Sequence, residues 1–360
     1  MSRVGIVSIW DDQNLGNRLQ NFALQRFLED VGAQALTIRN SRGEAWDGWT
    51  GVGADLRSGR AKDALRRAGR VVRAGQIAAF DRQYIRSTPG WIDADAPPPE
   101  LGDTCDVFIA GSDQIWNPLW RGTDLDFLTF APPSKRTAYA ASFGVSDITK
   151  SATADRYAAL LREMRAISVR EHDGADIVSH LVGRRPPVHV DPVMLLDVPQ
   201  WQALTSRRRG CQDGVRRIVT YFLGRPSASR QQVVDAAVEF LGARVSSYKE
   251  PRDLRRYLAG PTQFVAEISA ADLVLTDSFH AAAFAVLFGR PLAVVPRTGT
   301  SDMSSRLRTL MKTFSIPDDV LVEDPVGLRG AMTVEVPELR ARLSHERDRT
   351  RAYLVEAVAS

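Results

Sequence analysis

Apolar residues along this chain fall into short continuous runs separated by stretches with helical spacing, and the two alternate from one end to the other. The run at 4–9 predicts a buried strand, and the polar turn DDQNLGN at 11–17 leads from it into a helix. Leu19, Phe22, Ala23, Phe27, Leu28 and Val31 form the apolar stripe of that helix, Gly32 ends it, and a strand begins at 35. Further strands are predicted at 107–110, 136–142 and 166–169, with helices at 154–165 and near 174–181. The second half repeats the rhythm, with strands at 218–223, 243–248, 273–276 and 292–295, a helix at 230–241 and a charged amphipathic helix at 337–357. Such alternation predicts an α/β fold with parallel sheets, in which ligand contacts gather at the carboxyl ends of the strands.

The stretch ISAADLVLTDSFHAAAFAVLFGRPLAVVP at 268–296 carries the sharpest local signal. A buried strand runs into a turn where Asp277 or Ser278 can cap the next helix, and His280 stands at the junction. The free N–H groups and the dipole of a helix start attract anions, and an imidazole titrates near neutrality, so the position suits acid-base work on an anionic ligand. A His that only caps or packs is the alternative. Other polar turns at strand ends offer Asn14 and Asn17 in the first, and Asp113 and Gln114 in GSDQ. The alternative for both Asn residues is helix capping. Gly16 stands alone, so the first turn is no dinucleotide fingerprint. Arg170 follows the strand at 166–169 directly and can fork onto a carboxylate or phosphate, or else pair with Glu171 or another acid. Arg306 stands at the mouth of an amphipathic helix and can reach an anion.

A chain of 360 residues suits two domains. We place the crossing near 196–199, which gives a first domain at 1–197 with a basic helical excursion at about 43–103, a second at 198–336, and a last helix at 337–360 that crosses back over the first. Charged residues at 25% and hydrophobic ones at 44% exclude a disordered chain. No run reaches the roughly 18 to 20 apolar residues of a membrane span, and the N-terminus lacks a secretory layout, so a cytoplasmic protein is expected. The Arg-rich segment of the excursion could touch a membrane surface or a polyanionic glycan, although a charge run of this kind is usually a solvated face. A net charge of +4 fits an anionic substrate and gives no case for nucleic acid. Cys105 and Cys211 share no motif with His, so neither a zinc site nor a disulfide is expected, and no cluster has metal-ligand spacing.

Several blocks, taken in order, resemble the polysaccharide pyruvyl transferase family: NLGNRLQNFALQRFLEDVG, FIAGSDQIWNP, AYAASFG, ISVRE, VDPVMLL, AADLVLTDSFHAAAFAVLFGRPLAVV and SSRLRTLM. The resemblance implies two Rossmann-like domains of glycosyltransferase-B type with the site in the cleft, acceptor on the first domain and donor on the second. It implies phosphoenolpyruvate as donor substrate without any cofactor, and a sugar, oligosaccharide or lipid-linked glycan as acceptor; the protein is then expected in the cytoplasm, with the inner face of the membrane as the alternative. His280 would then be catalytic, Arg170, Ser278 and Arg306 would hold the donor, and Asn14, Asn17, Asp113 and Gln114 the acceptor. The chain departs from the family at Ala281, where Gly commonly follows the His, and at Phe279, where some branches carry Arg. A glycosyltransferase using a nucleotide sugar and a non-catalytic glycan-binding relative are the rival readings, since the fold alone serves all three.

Overall fold

The computed structural model describes residues 1–41, 48–205, 214–297, 304–332 and 338–359. Cys211, the Gly/Ser/Thr loop at 298–303, the start of the basic excursion and Pro337 lie outside the described residues. The first half runs β1 (Arg3–Val7), α1 (Leu15–Asp30), β2 (Gln34–Ile38), β3 (Asn40–Ser41), α2 (Gly48–Arg57), α3 (Ala61–Tyr84), β4 (Ile92–Asp93), β5 (Val107–Gly111), β6 (Arg136–Ala141), α4 (Ala154–Arg162), β7 (Ala166–Val169) and α5 (His172–Val182). After α6 (Val198–Thr205) come β8 (Arg217–Tyr221), α7 (Ala228–Leu241), β9 (Arg244–Tyr248), α8 (Leu254–Tyr257), α9 (Pro261–Ser269), β10 (Leu273–Thr276), α10 (Phe279–Leu287) and β11 (Leu292–Val294). The chain ends with α11 (Ser304–Phe314), α12 (Gly327–Met332) and α13 (Leu339–Val358).

Two parallel sheets result, one ordered β2-β1-β5-β6-β7 and the other β11-β10-β8-β9, while β3 and β4 pair as a small separate ribbon. In both sheets the first strand lies inside, its successor on one flank and the next on the other. The strand order therefore reverses between β1 and β5 and again between β8 and β10, the places where open α/β sheets leave a crevice at their carboxyl edge. The strands are continuous apolar runs because helices cover both faces; β5 and β10 are buried throughout.

The two halves share one apolar cluster. Trp201 on α6 is fully buried, with its ring centroid 5.7 Å from that of Phe22 on α1 and 4.9 Å from that of Phe284 on α10, and its indole N–H donates to the Val193 carbonyl at 3.0 Å. α13 lies along residues of the first half. Arg347 Nε donates to the Met194 carbonyl at 2.7 Å, Tyr353 donates to the Ala138 carbonyl at 2.7 Å, and Leu354 has no exposed surface. Leu354→Ala should therefore cost about 2–5 kcal/mol, the range for truncating a buried Leu. Urea unfolding checks this, and an unchanged midpoint would show that α13 is not part of the cooperative core.

Candidate active site

Turns from both sheets meet at one buried group of charges. At its centre Arg170, which follows β7, donates from Nη1 to Asp191 Oδ2 at 2.6 Å, and both side chains are almost fully buried. Asp191 also accepts from Ser112 Oγ at 3.0 Å and from the Val193 amide at 3.1 Å. Burial works against the Asp191 charge, but the neighbouring His280 and Arg170 outweigh it and hold the carboxyl well below its usual range. Burial likewise works against the Arg170 cation, and Asp191, Asp113 and Glu171 overcome it so that the guanidinium stays charged. The face of Phe279 covers that guanidinium at 4.5 Å from the ring centroid.

Three further side chains complete the shell. Asp113 has the left-handed backbone value φ 58, which is strained for an Asp, and it accepts from Asn17 Nδ2 at 3.0 Å. Burial would raise its pKa, yet His280 and Arg170 draw it down. Glu171 accepts from Ser142 Oγ at 2.8 Å and from the Phe143 amide at 2.9 Å, and burial pushes its carboxyl up. Arg306 on α11 is lowered to about 10 by burial and by Arg170 beside it. With its amide oxygen turned toward Arg306, Gln114 accepts from both terminal nitrogens at 3.0 Å.

His280 enters this group from the second half, in the first turn of α10. Its Nε2 lies 3.5 Å from Asp191 Oδ2, too far for a well-formed hydrogen bond, and the residue is 4% exposed. On its other side stands Gly16 of α1. A Cβ on Gly16 would fall 2.4 Å from the imidazole Cγ and Nδ1, so the absence of a side chain there is what admits the ring. Among the described residues, buried polar atoms without a hydrogen-bond partner gather here: His280 Nε2, Arg170 Nε and Nη2, and Glu171 Oε2. Each faces an opposite charge within the group, Arg170 Nη2 at 3.6 Å from Asp113, Arg170 Nε at 4.0 Å from Glu171 Oε2 and His280 Nε2 at 3.5 Å from Asp191, so the hydrogen-bonding capacity left over is that of charged atoms. A cavity of about 390 Å³ reaches Arg170, Asp191 and Phe279, and His172, Lys312 and Arg349 contribute to its wall.

The structure brings together His280, Arg170, Arg306, Asp113, Gln114 and Asn17. Asn14 stands apart as the N-cap of α1, accepting from the Gly16 and Asn17 amides at 3.1 and 3.4 Å. Ser278 occupies the N-cap position of α10 without a capping hydrogen bond from its side chain. Asp277 does not cap α10 either; its carboxylate accepts from the Leu223 and Gly224 amides at 2.7 Å each and pairs with Arg297. Sequence reasoning passed over Asp191, Glu171 as a shell member, and Gly16. For Asp191 the available signal is its place in VDPV, an acid beside Pro at the end of an apolar run.

The fold is of glycosyltransferase-B type, and solved structures share it. UDP-GlcNAc 2-epimerase from Neisseria meningitidis, bound to UDP-GlcNAc, superposes with a TM-score of 0.52 at 11% identity over 100% of both chains. The enzyme of the same name from Methanocaldococcus jannaschii gives 0.52 at 10% identity over 93% of this chain and 95% of its own. Curated proteins yield no match. The sequence model of polysaccharide pyruvyl transferase matches residues 14–298, which include every member of the buried group except Arg306. This chain belongs to the polysaccharide pyruvyl transferase family.

Gly16→Ala is expected to displace the His280 ring, because the new methyl group needs the space the ring fills. The change should destabilise the protein by about 1–3 kcal/mol and shift the His280 imidazole resonances in an NMR spectrum. Unshifted resonances would show that α1 does not set the ring position.

Proposed function

We propose that this protein transfers the pyruvyl group of phosphoenolpyruvate to two hydroxyls of a glycan as a ketal, with release of phosphate. The observation that carries the reading is the buried His280 Nε2, without a hydrogen-bond partner among the described residues and facing the ion pair of Arg170 and Asp191. Ketal formation needs a proton delivered to the methylene carbon of the enol, after which a sugar hydroxyl attacks the cationic carbon. Phosphate leaves with its electron pair, and a second hydroxyl closes the ring. The two hydroxyl protons then balance the proton gained by carbon and the one that departs with phosphate. An imidazole is suited to give a proton in the first step and take one in the next.

The rest of the group has matching roles. Asp191, kept ionised, faces the imidazole at 3.5 Å. Arg170 and Arg306 present adjacent cations to a ligand bearing both a carboxylate and a phosphate, and the cavity beside Arg170 has the size and the cationic wall for a small trianion. Asn17 and Asp113 bond to each other and are buried, which suits them to holding the turns in register, and they reach acceptor hydroxyls only when the halves part.

His280→Gln keeps much of the polar volume and removes the titratable group. It should lower turnover by roughly 100-fold or more while phosphoenolpyruvate affinity falls less. Phosphate release, donor affinity and melting temperature measured on one preparation decide the matter, and normal turnover by a well-folded variant would remove His280 from the chemistry. Arg170→Lys retains the charge and loses the fork. Donor affinity should fall about tenfold or more, as the loss of a charge-assisted hydrogen bond requires; unchanged affinity would leave Arg170 with the structural pairing to Asp191 alone.

A further inference from the structure

The Arg-rich helix α3 has no part in the chemistry above, yet it is more than a solvated face. Its middle packs against the second half: Arg73 Nε donates to the Tyr257 carbonyl at 2.8 Å, and a Cβ on Gly69 would fall 2.3 Å from the edge of the Tyr257 ring. Between α3 and the carboxyl edge of the second sheet runs a groove of about 1410 Å³. One face of α3 lines it with Lys62, Leu65, Arg66 and Val72, positions that share a side of a helix. Opposite stand Arg230 on α7 and the segment from Glu250 to Arg256.

Five cations, Lys62, Arg66, Arg230, Arg252 and Arg256, and three acids, Asp235, Glu250 and Asp253, line the groove, which leaves an excess of positive charge. Arg256 is held by Glu267 at 3.1 Å, and Arg230 by the Gly224 carbonyl and Glu250. Lys62, Arg66 and Arg252 stand exposed on its sides, and the one ion pair of Arg66 among the described residues is a solvent-exposed contact with Asp63 at 3.8 Å, worth little. Beside these charges the lining mixes the hydroxyl and amide groups of Thr220, Ser227, Gln231 and Ser247 with the apolar Phe222, Val234 and Val245. A sugar ring, with hydroxyls at its edge and C–H groups on its face, needs that mixture.

We propose that this groove binds the glycan acceptor, and that the acceptor it takes carries a phosphate group met by the cations of α3. The proposal rests on the reading that the chain transfers a pyruvyl group to a glycan. It places the acceptor on the same sheet edge from which β10 leads into His280.

The test uses the full chain in saturation-transfer NMR titrations without phosphoenolpyruvate. The probes are glucose, galactose, mannose and N-acetylglucosamine, each as the free sugar and as its 1-phosphate. At least one 1-phosphate should bind about tenfold or more tightly than its free sugar. Lys62→Ala with Arg66→Ala changes exposed positions on a helix, and it should remove that preference while leaving phosphoenolpyruvate affinity intact. No binding by any sugar phosphate, a preference that survives the double variant, or displacement of the sugar phosphate by phosphoenolpyruvate would overturn the proposal. So would binding to phosphatidylglycerol vesicles that the double variant loses while no sugar phosphate binds, since that would make α3 a membrane contact. A failure of phosphoenolpyruvate to bind, with sugar phosphate bound normally, would count against the donor reading and leave the groove as proposed.

Discussion

The contact between Arg170 and Asp191 is the constraint on which the interior of this protein depends. Two cations, Arg170 and Arg306, lie close together with almost no solvent to separate them, an arrangement that is strongly unfavourable unless acids surround it. Asp191, Asp113 and Glu171 provide that surround, and each is in turn held by groups from a different turn: Ser112 and the Val193 amide, Asn17, and Ser142 with the Phe143 amide. Removing one partner of such a pair typically costs about 3–5 kcal/mol, because the other is left charged and unsolvated. The turns are thus tied to one another through charge as well as through hydrogen bonds. An imidazole placed beside this arrangement meets a field that is already fixed, which is what makes a preorganised site effective.

Most of the scaffold was legible in the chain because its strands are buried on both faces. β7 at 166–169 and β10 at 273–276 match the apolar runs residue for residue. Helix ends were less legible: the helix expected to reach 165 stops at Arg162, where short-range turns take over. His280, Arg170, Asp113 and Arg306 could be singled out because each sits at a strand or helix end, a position that periodicity locates. Asp191 could not be found in that way. Its partners lie 21 and 79 residues away in the chain, and nothing local to VDPV says that Arg170 and Ser112 will fold onto it. Gly16 was equally hidden, since its requirement comes from a ring contributed by the other half.

The basic excursion shows the same limit from the other side. Counted along the sequence, the Arg residues of α3 look like a solvated surface. Folded, Arg73 is buried against Tyr257, Arg60 and Arg67 are bound to Asp55, and the remaining cations divide between the groove and open solvent. Composition fixed the charge of the helix but not the direction in which it is presented, which depends on where a glycine lets α3 approach Tyr257 on α8.

The packing of His280 against Gly16 has a kinetic consequence. The ring and the helix that touches it belong to different halves of the molecule, and together they leave the imidazole almost sealed from solvent. A ligand can meet it only in the moments when the seam between the halves opens. If His280 acts as proposed, opening of that seam is a step of the cycle in its own right, and solvent viscosity, which slows large rigid-body displacements, would register in turnover beside the acid-base steps.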